Sequence, residues 1–369
     1  LHYLGIIKGL LISLMIVLFW QFSTFNLDYK SGLDVLVEDQ FVGLKGKKVG
    51  VIVNHTSLDQ NGKHLIELAY SKGVNIAAVF TPEHGFKGIY EAGENINDGI
   101  EPYTGAPIYS LYGKTKKPSQ DMLDKLDILI FDIQDIGVRY YTYISTLNLV
   151  MEAVAEKEIS IWVLDRLNPL GDAINGPILD TNYTSFVGMY PVPAQHSLTI
   201  GELAMMINKE GWLSNGMKAN LKVIRYSGIP NQQDREDAFI PSPSPNMPDI
   251  ETARNYTGLC LLEGTNLSEG RGTSKPFKVL GAPWIDSKQL LAFILPLSHI
   301  NDKVDTVSFI PKSLPGKSSH PKYENQLCYG LKIEYLHNPI KWTAQLLAVL
   351  KSHYPDSFQI LNTHFHVFK

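Results

Sequence analysis

The sequence predicts an α/β protein, in which helices cover both faces of a parallel sheet and a smaller C-terminal α+β domain follows. Short β-branched runs alternate with segments of helical periodicity over residues 47–226, and this alternation is typical of βαβ units. Beyond Trp284 the apolar runs are fewer and lie among longer loops, which indicates a second unit. The length of 369 residues is also sufficient for about two domains.

Strands are expected where a short apolar run is bounded by polar residues. In the sheet, these runs are residues 47–54, 74–80, 126–133, 158–165, 220–226 and 258–264. Helices are expected where apolar residues recur every three or four positions, at 63–72, 146–157 and 200–209. The last of these helices follows Thr199, with Glu202 at the spacing of a capping box. Four prolines make residues 240–248 a loop.

The C-terminal domain is expected to be smaller and to mix both kinds of element. Its predicted strands and helix are, in order, residues 307–310, 331–335 and 342–352. We therefore place the main domain at 30–285 and an auxiliary domain at 286–369.

Residues 1–24 resemble a targeting segment. Lys8 precedes an apolar run of 12 residues, 9–20, and a membrane-spanning helix needs about 20. A short apolar run behind a basic residue is typical of a secretory signal, and without cleavage it would anchor the chain to a membrane. Either interpretation predicts a periplasmic or secreted protein. In that compartment Cys260 and Cys328 would be able to pair, or they would remain two buried thiols.

The composition excludes several classes of protein. Hydrophobic residues make up 44% of the chain and charged residues 19%, which is too apolar for a disordered protein. Lys and Arg number 33 against 37 Asp and Glu, so no overall basic surface predicts binding of nucleic acid. Two cysteines are too few for a disulfide framework or a four-cysteine zinc site. Dinucleotide, phosphate-loop and nucleophile-elbow motifs are also missing from the sequence.

Polar side chains follow each predicted strand of the sheet. In chain order these residues are Asn54, His55, Glu83, His84, Asp132, Asp135, Arg139, Tyr143, Asp165, Arg166, Glu263, Asn266, Glu269 and Arg271. Ligands of an open parallel sheet bind in the crevice beyond the carboxyl ends of its strands. The sequence therefore predicts that these groups form one site.

Carboxylates are the most frequent candidates at this predicted site. Two carboxylates suit hydrolysis of a glycosidic bond, since one protonates the leaving oxygen while the other supports water or an oxocarbenium-like centre. Arg139 or Arg271 would bind a substrate carboxylate through its guanidinium fork. His55 and His84 with an aspartate form an alternative metal site, although their spacing matches no recognised ligand motif.

At these residues the sequence resembles the exo-β-N-acetylmuramidase family, found in bacteria that recycle or scavenge cell wall. The similar segments are VGVIVNHTSLD, FTPEHGFKG, TGAPIYSLYGKTKKP, DILIFDIQDIGVRYYTYI, VLDRLNP, PSPNMP and LLEGTNLSEGRGTSKPFKVLGAPW. The resemblance implies a Rossmann-like catalytic domain at 30–285 and an auxiliary domain, with the active cleft between them. It also implies release of N-acetylmuramic acid from the non-reducing end of peptidoglycan fragments.

The family's catalytic glutamate lies in the P-E-H-G motif, so the resemblance implies that role for Glu83. Glu269 and Asp132 are the other candidate catalytic residues. The candidate substrate-binding residues are Asn54, His55, His84, Asp135, Arg139, Tyr143, Asn246, Glu263, Asn266 and Arg271. The expected partners are peptidoglycan-derived disaccharides or muropeptides, and neither a cofactor nor a metal is expected.

The sequence departs from the family pattern at three places. Leu167 replaces the first proline of D-R-P-N-P, and Ser197 replaces the glycine after His196. His366 replaces the aspartate of an H-F-D-K-type stretch, and the chain ends soon after it, so we expect a shortened auxiliary domain. Two alternatives follow: a non-catalytic muropeptide-binding protein on the same fold, and a metal-assisted deacetylase or amidase.

Overall fold

The computed structural model describes residues 28–91, 94 and 99–361. Its strands are β1 (Lys48–Val53), β2 (Asn75–Thr81), β3 (Gly99–Ile100), β4 (Pro107–Ser110), β5 (Ile128–Asp132), β6 (Ser160–Leu164), β7 (Asn175–Ile178), β8 (Pro193–Gln195), β9 (Asn220–Ile224), β10 (Val279–Ala282), β11 (Lys303–Phe309) and β12 (Cys328–Tyr335). Its α-helices are α1 (Gly32–Glu38), α2 (Leu65–Ser71), α3 (Gln120–Leu123), α4 (Tyr143–Lys157), α5 (Ile200–Glu210), α6 (Gln232–Asp237), α7 (Ile250–Leu259), α8 (Ser287–Ile294) and α9 (Pro339–His353).

The main sheet has seven strands in the order β3-β4-β2-β1-β5-β6-β9. Every neighbouring pair is parallel except β3 with β4 at the edge. The order reverses at β1, because β2 lies on one side of it and β5 on the other. The predicted α/β class is therefore confirmed.

Helices cover both faces of this sheet, and the strand sequences show why. Along β1, Val49, Val51 and Val53 point into the core that α1 and α2 cover. Ile52 points to the opposite face, which α4 and α5 cover. Both sets are completely buried. A strand with both faces covered requires a nearly continuous apolar run, which is the pattern that predicts β1.

The C-terminal domain contains a three-stranded antiparallel sheet in the order β10-β12-β11. Helices α7 and α8 pack against it, and α9 packs on those two helices. Residues of β12 and α9 share one hydrophobic core with α4 and α5. The predicted mixture of strands and one long helix is confirmed. A two-stranded antiparallel ribbon, β7-β8, contacts α9.

The strand predicted at 258–264 is wrong. Helix α7 extends to Leu259 and continues into a 3₁₀ helix, Cys260–Gly264. Asp249 caps α7 by accepting a hydrogen bond from the backbone of Thr252. Because the run is buried at most of its positions, its apolar residues show no clear period, and a short buried helix then resembles a buried strand in the sequence.

Three other expectations concern the two cysteines, the targeting segment and a membrane anchor. Cys260 and Cys328 are both buried free thiols, so the pairing that we considered is not formed. The targeting segment at 1–24 lies outside the described residues, as does His366. Within the described ranges, no helix combines the length and apolar character needed to cross a membrane.

Candidate active site

Four strands deliver polar groups to one rim of the sheet, as predicted. Asn54 follows β1, Glu83 lies two residues beyond β2, and Asp132 ends β5. Arg166 lies two residues beyond β6 and reaches back to Asp132. Glu263, Glu269 and Arg271 arrive differently, from the 3₁₀ helix after α7 and the loop that follows it, because the predicted strand there does not exist.

Glu83 lies in a tight turn immediately after β2. The Oγ1 of Thr142, at the N-terminus of α4, donates a hydrogen bond of 2.6 Å to Glu83 Oε2. His84 and Gly85 both have a φ of +71°, a conformation that is uncommon for a residue other than glycine. This turn and helix fix a carboxyl group that is only 8% exposed.

His84 and His55 are both held as neutral imidazoles. His84 Nδ1 donates to the carbonyl of Tyr90 at 2.7 Å, and His55 Nε2 donates to the carbonyl of Ser242 at 2.7 Å. Burial lowers the pKa of each ring, and this effect outweighs the opposing field of Glu83 on His84. Each ring therefore keeps one unprotonated nitrogen that accepts hydrogen bonds at neutral pH.

Asn54 and Tyr143 form a buried pair beside Glu83. Asn54 Nδ2 donates to the hydroxyl of Tyr143 at 3.1 Å, and that hydroxyl donates to the carbonyl of Pro243 at 2.8 Å. The Oδ1 of Asn54 accepts bonds from the backbone N–H and the hydroxyl of Thr56. The pair joins the ends of β1 and α4 to the proline-rich loop, so its polar atoms are already used within the protein.

Asp132 forms a closed, bidentate ion pair with Arg166. Arg166 Nε lies 2.6 Å from Asp132 Oδ1, and Nη2 lies 2.9 Å from Oδ2. Asp132 is fully buried and Arg166 is 7% exposed. Arg166 directly follows the strand predicted at 158–165, and its basic side chain is the local signal for this ion pair.

Glu263, Arg271, Glu269 and Lys322 form a chain of ion pairs. Arg271 Nη2 lies 2.9 Å from Glu263 Oε1, and Arg271 Nε lies 3.5 Å from Glu269 Oε1. Burial alone would lower the pKa of Arg271, but the two carboxylates outweigh it and raise that pKa. Lys322 Nζ lies 3.0 Å from Glu269 Oε2 and bonds three backbone carbonyls. Two cations and two carboxylates leave this network formally neutral.

Lys322 is a site residue that sequence reasoning missed. It belongs to the auxiliary domain, more than 50 positions after the loop that it binds. A single lysine between a proline and a tyrosine carries no local signal for this contact.

Asp135 is buried behind the rim. Its Oδ2 accepts a 2.7 Å hydrogen bond from the backbone N–H of Gly137. Burial raises the pKa of its carboxyl to about 7, against 3.8 for an unperturbed aspartate. The buried carboxyl therefore holds its proton to near neutral pH.

This shift predicts a pH dependence of stability. Between pH 4 and 7 the unfolded chain ionises Asp135 while the folded chain does not, so the free energy of unfolding falls as pH rises. We expect Asp135→Asn to remove this decrease. The unfolding free energy of the variant, relative to that of wild type, should then rise by at least about 1 kcal/mol between pH 4.5 and pH 8. Urea unfolding of both proteins at the two pH values measures it. If the two proteins differ in unfolding free energy by the same amount at both pH values, Asp135 is not a neutral, buried carboxyl.

Three predicted site residues lie in contacts that the structure uses for its own architecture. Arg139 Nη1 donates to the carbonyls of Pro177 and Val192, which fixes the β7-β8 ribbon. Asn266 binds the backbone of residues 357 and 359. Asn246 donates to the carbonyl of Lys317 at 2.7 Å and so links the proline-rich loop to the auxiliary domain.

His55 and His84 with an aspartate were an alternative metal site in the sequence. In the part of the chain that the structure describes, no three His, Cys, Asp or Glu side chains lie close enough together to hold a metal ion. His55 and His84 instead donate to backbone carbonyls, as described above.

Comparison with known proteins shows which family this sequence matches. The model of the exo-beta-N-acetylmuramidase NamZ N-terminal domain matches residues 49–251, and that of the NamZ C-terminal domain matches residues 254–368. The peptidoglycan beta-N-acetylmuramidase NamZ of Bacillus subtilis (strain 168) is 40% identical over 343 residues, which cover 90% of this chain and 80% of that protein.

Two solved structures of DUF1343 family proteins from Bacteroides fragilis NCTC 9343 have a similar fold. One has a TM-score of 0.82 at 32% identity and covers 93% of this chain and 88% of its own. The other has a TM-score of 0.75 at 35% identity and covers 92% and 88%. The similarity therefore includes both the main sheet and the C-terminal domain.

Proposed function

The chain belongs to the exo-beta-N-acetylmuramidase family, and from this we propose that it uses Glu83 to release N-acetylmuramic acid from the non-reducing end of peptidoglycan fragments. It is a glycoside hydrolase, since the family models match both of its halves and a muramidase is 40% identical to it. Because peptidoglycan lies outside the cytoplasmic membrane, the proposed place of work is the periplasm or the cell exterior.

The placement of Glu83 is the observation that carries the proposed mechanism. Its carboxyl accepts a hydrogen bond from a neutral hydroxyl, that of Thr142, and lies beside the neutral ring of His84. Asp132, Glu263 and Glu269 form ion pairs with Arg166, Arg271 and Lys322. The position of Glu83 two residues beyond β2, within the P-E-H-G motif, supports it as the general acid.

In the proposed reaction, Glu83 donates its proton to the glycosidic oxygen while the bond from that oxygen to the anomeric carbon breaks. The leaving sugar departs with a new hydroxyl, and an oxocarbenium-like centre develops on the muramic acid ring. Water then adds to the anomeric carbon, and the proton that it loses returns to the Glu83 carboxylate and restores the acid. General acid catalysis of this kind contributes about 10²–10⁴-fold to rate.

Asp132 and Glu269, our other candidate catalytic residues, are proposed as positioning residues. Asp132 holds Arg166 between the ends of β5 and β6, and Glu269 holds Arg271 and Lys322. Asp132 is fully buried and Glu269 is 4% exposed, and the carboxylate oxygens of both are engaged by these cations.

Arg271 is proposed as the group that binds the lactyl carboxylate of muramic acid. Its charge acts on His84, which places it near Glu83. Arg271 contacts Glu263 through Nη2 and Glu269 through Nε, and its side chain is 21% exposed, so part of its guanidinium fork is open to a substrate carboxylate. Arg139 is the less suitable candidate, since its fork donates to backbone carbonyls.

A pair of chromogenic substrates tests the proposed function. We expect the protein to release the chromophore from a β-N-acetylmuraminide and not from the β-N-acetylglucosaminide, which lacks the lactyl group. Circular dichroism on the same sample shows whether the protein is folded. A folded protein that cleaves neither substrate would overturn the proposal and favour a muropeptide-binding role. Equal cleavage of both substrates would show that the enzyme does not recognise the lactyl group.

A further inference from the structure

A cavity of about 630 Å³ lies between the loop that follows Arg271 and the C-terminal domain. The rim loop from Gly272 to Ser274 forms one wall, and the chain from Phe309 to Lys317 forms the other. This volume is within the range of roughly 300–1,000 Å³ that small-molecule sites occupy.

Contacts on both walls connect this cavity to the proposed site. Gly272 directly follows Arg271, the proposed carboxylate-binding residue. The chain that forms the other wall also binds Glu91, whose carboxylate accepts hydrogen bonds from the backbone N–H groups of Gly316 at 3.1 Å and Ser319 at 2.8 Å. Glu91 lies eight residues after Glu83. One wall of the cavity is therefore continuous with the loop that carries Arg271, and the other is hydrogen-bonded to the segment that follows Glu83.

The lining of the cavity has the chemistry of a carboxylate-bearing sugar site. Lys312 and Lys317 are both exposed, and none of the lining residues that the structure describes is acidic. The apolar surfaces of Phe309, Ile310 and Pro315 complete the walls. Sugar rings place their C–H faces against such surfaces, while an ammonium group attracts a carboxylate.

The cavity is built before any ligand arrives. Lys312 N–H donates to the carbonyl of Gly272 at 2.8 Å, which joins the two walls. Gly272 has a φ of +78°, and a Cβ there would lie 2.6 Å from Pro321. The walls are therefore packed as closely as glycine allows, and a preformed site binds without first paying for loop ordering.

We propose that this cavity binds the glycan on the reducing side of the cleaved bond, and that Lys312 and Lys317 bind the lactyl carboxylate of its next N-acetylmuramic acid. This inference rests on the proposed function. N-acetylmuramic acid alternates with N-acetylglucosamine in peptidoglycan, so the next lactyl carboxylate lies two sugar units beyond the one released. The cavity would then favour glycan chains over the isolated disaccharide.

Two substrates of different length test this subsite. One is the disaccharide of N-acetylmuramic acid and N-acetylglucosamine, and the other is the tetrasaccharide that repeats it. We expect wild type to have a kcat/KM about fivefold higher for the tetrasaccharide, the size of one or two solvated charge contacts. The Lys312→Gln/Lys317→Gln double variant should lose this preference and keep its rate on the disaccharide.

Two controls separate the possible outcomes. Lys288→Gln, an exposed lysine on α8, should keep the wild-type preference, and a tetrasaccharide whose internal lactyl group is amidated should lose it with wild type. A length preference that survives both the double variant and amidation would overturn the subsite. Cleavage of neither substrate would instead overturn the proposed function, and the subsite with it.

Discussion

Glu83→Gln is expected to lower the turnover of a muramic acid substrate by about 10²–10⁴-fold, the usual contribution of a general acid. Glutamine has the shape of glutamate and still accepts the hydrogen bond that Thr142 donates to Glu83. It has no carboxyl proton to give to the glycosidic oxygen. The loss should therefore appear in kcat, while substrate affinity and the urea midpoint remain close to wild type.

Measurement of kcat and KM with the chromogenic muraminide checks this expectation. Glu67→Gln makes the same chemical change on the exposed surface of α2 and should leave both constants unchanged. If Glu83→Gln retained its turnover, Glu83 would not be the catalytic acid. A parallel loss in Glu67→Gln would show that the assay responds to surface charge.

Asp132→Asn is expected to have the largest effect on stability. It removes the charge that balances Arg166 in a pair that is almost completely buried. Leaving one charge of such a pair without its partner costs about 3–5 kcal/mol of unfolding free energy. Urea unfolding measures the loss.

Neutralising one member of the exposed Lys332–Glu334 pair, with Glu334→Gln, provides the control and should leave the urea midpoint within error of wild type. The rate per folded molecule then separates two roles for Asp132. A positioning residue leaves most of the activity in the fraction that stays folded, whereas a catalytic residue abolishes it. Wild-type stability in Asp132→Asn would contradict the closed ion pair.

Much of the fold follows from local patterns. The runs that became β1, β2, β5 and β6 are apolar at nearly every position, because helices cover both faces of the sheet. Thr199 caps the helix Ile200–Glu210, and Glu202 completes the predicted capping box. These features depend on residues within a few positions of one another, so one sequence is enough to predict them.

Elements without a clear period could not be predicted in the same way. Short pieces such as β7, β8 and α6 depend on neighbours that the chain reaches only after folding. The buried run at Cys260–Gly264 became a 3₁₀ helix because α7 leads directly into it. The domain boundary near 285 stays a prediction, and the two family models meet earlier, between residues 251 and 254.

By itself, the sequence determined the α/β class, the positions of the main strands along the chain, and the rim where their polar ends meet. Periodicity and strand polarity are local, and parallel strands must end at the same edge. Only the tertiary structure decided which rim carboxylates are already neutralised. Arg166 reaches Asp132 across 34 positions, and Lys322 reaches Glu269 across 53. No local pattern encodes those distances, because the partner of a buried charge is set by how separate elements pack.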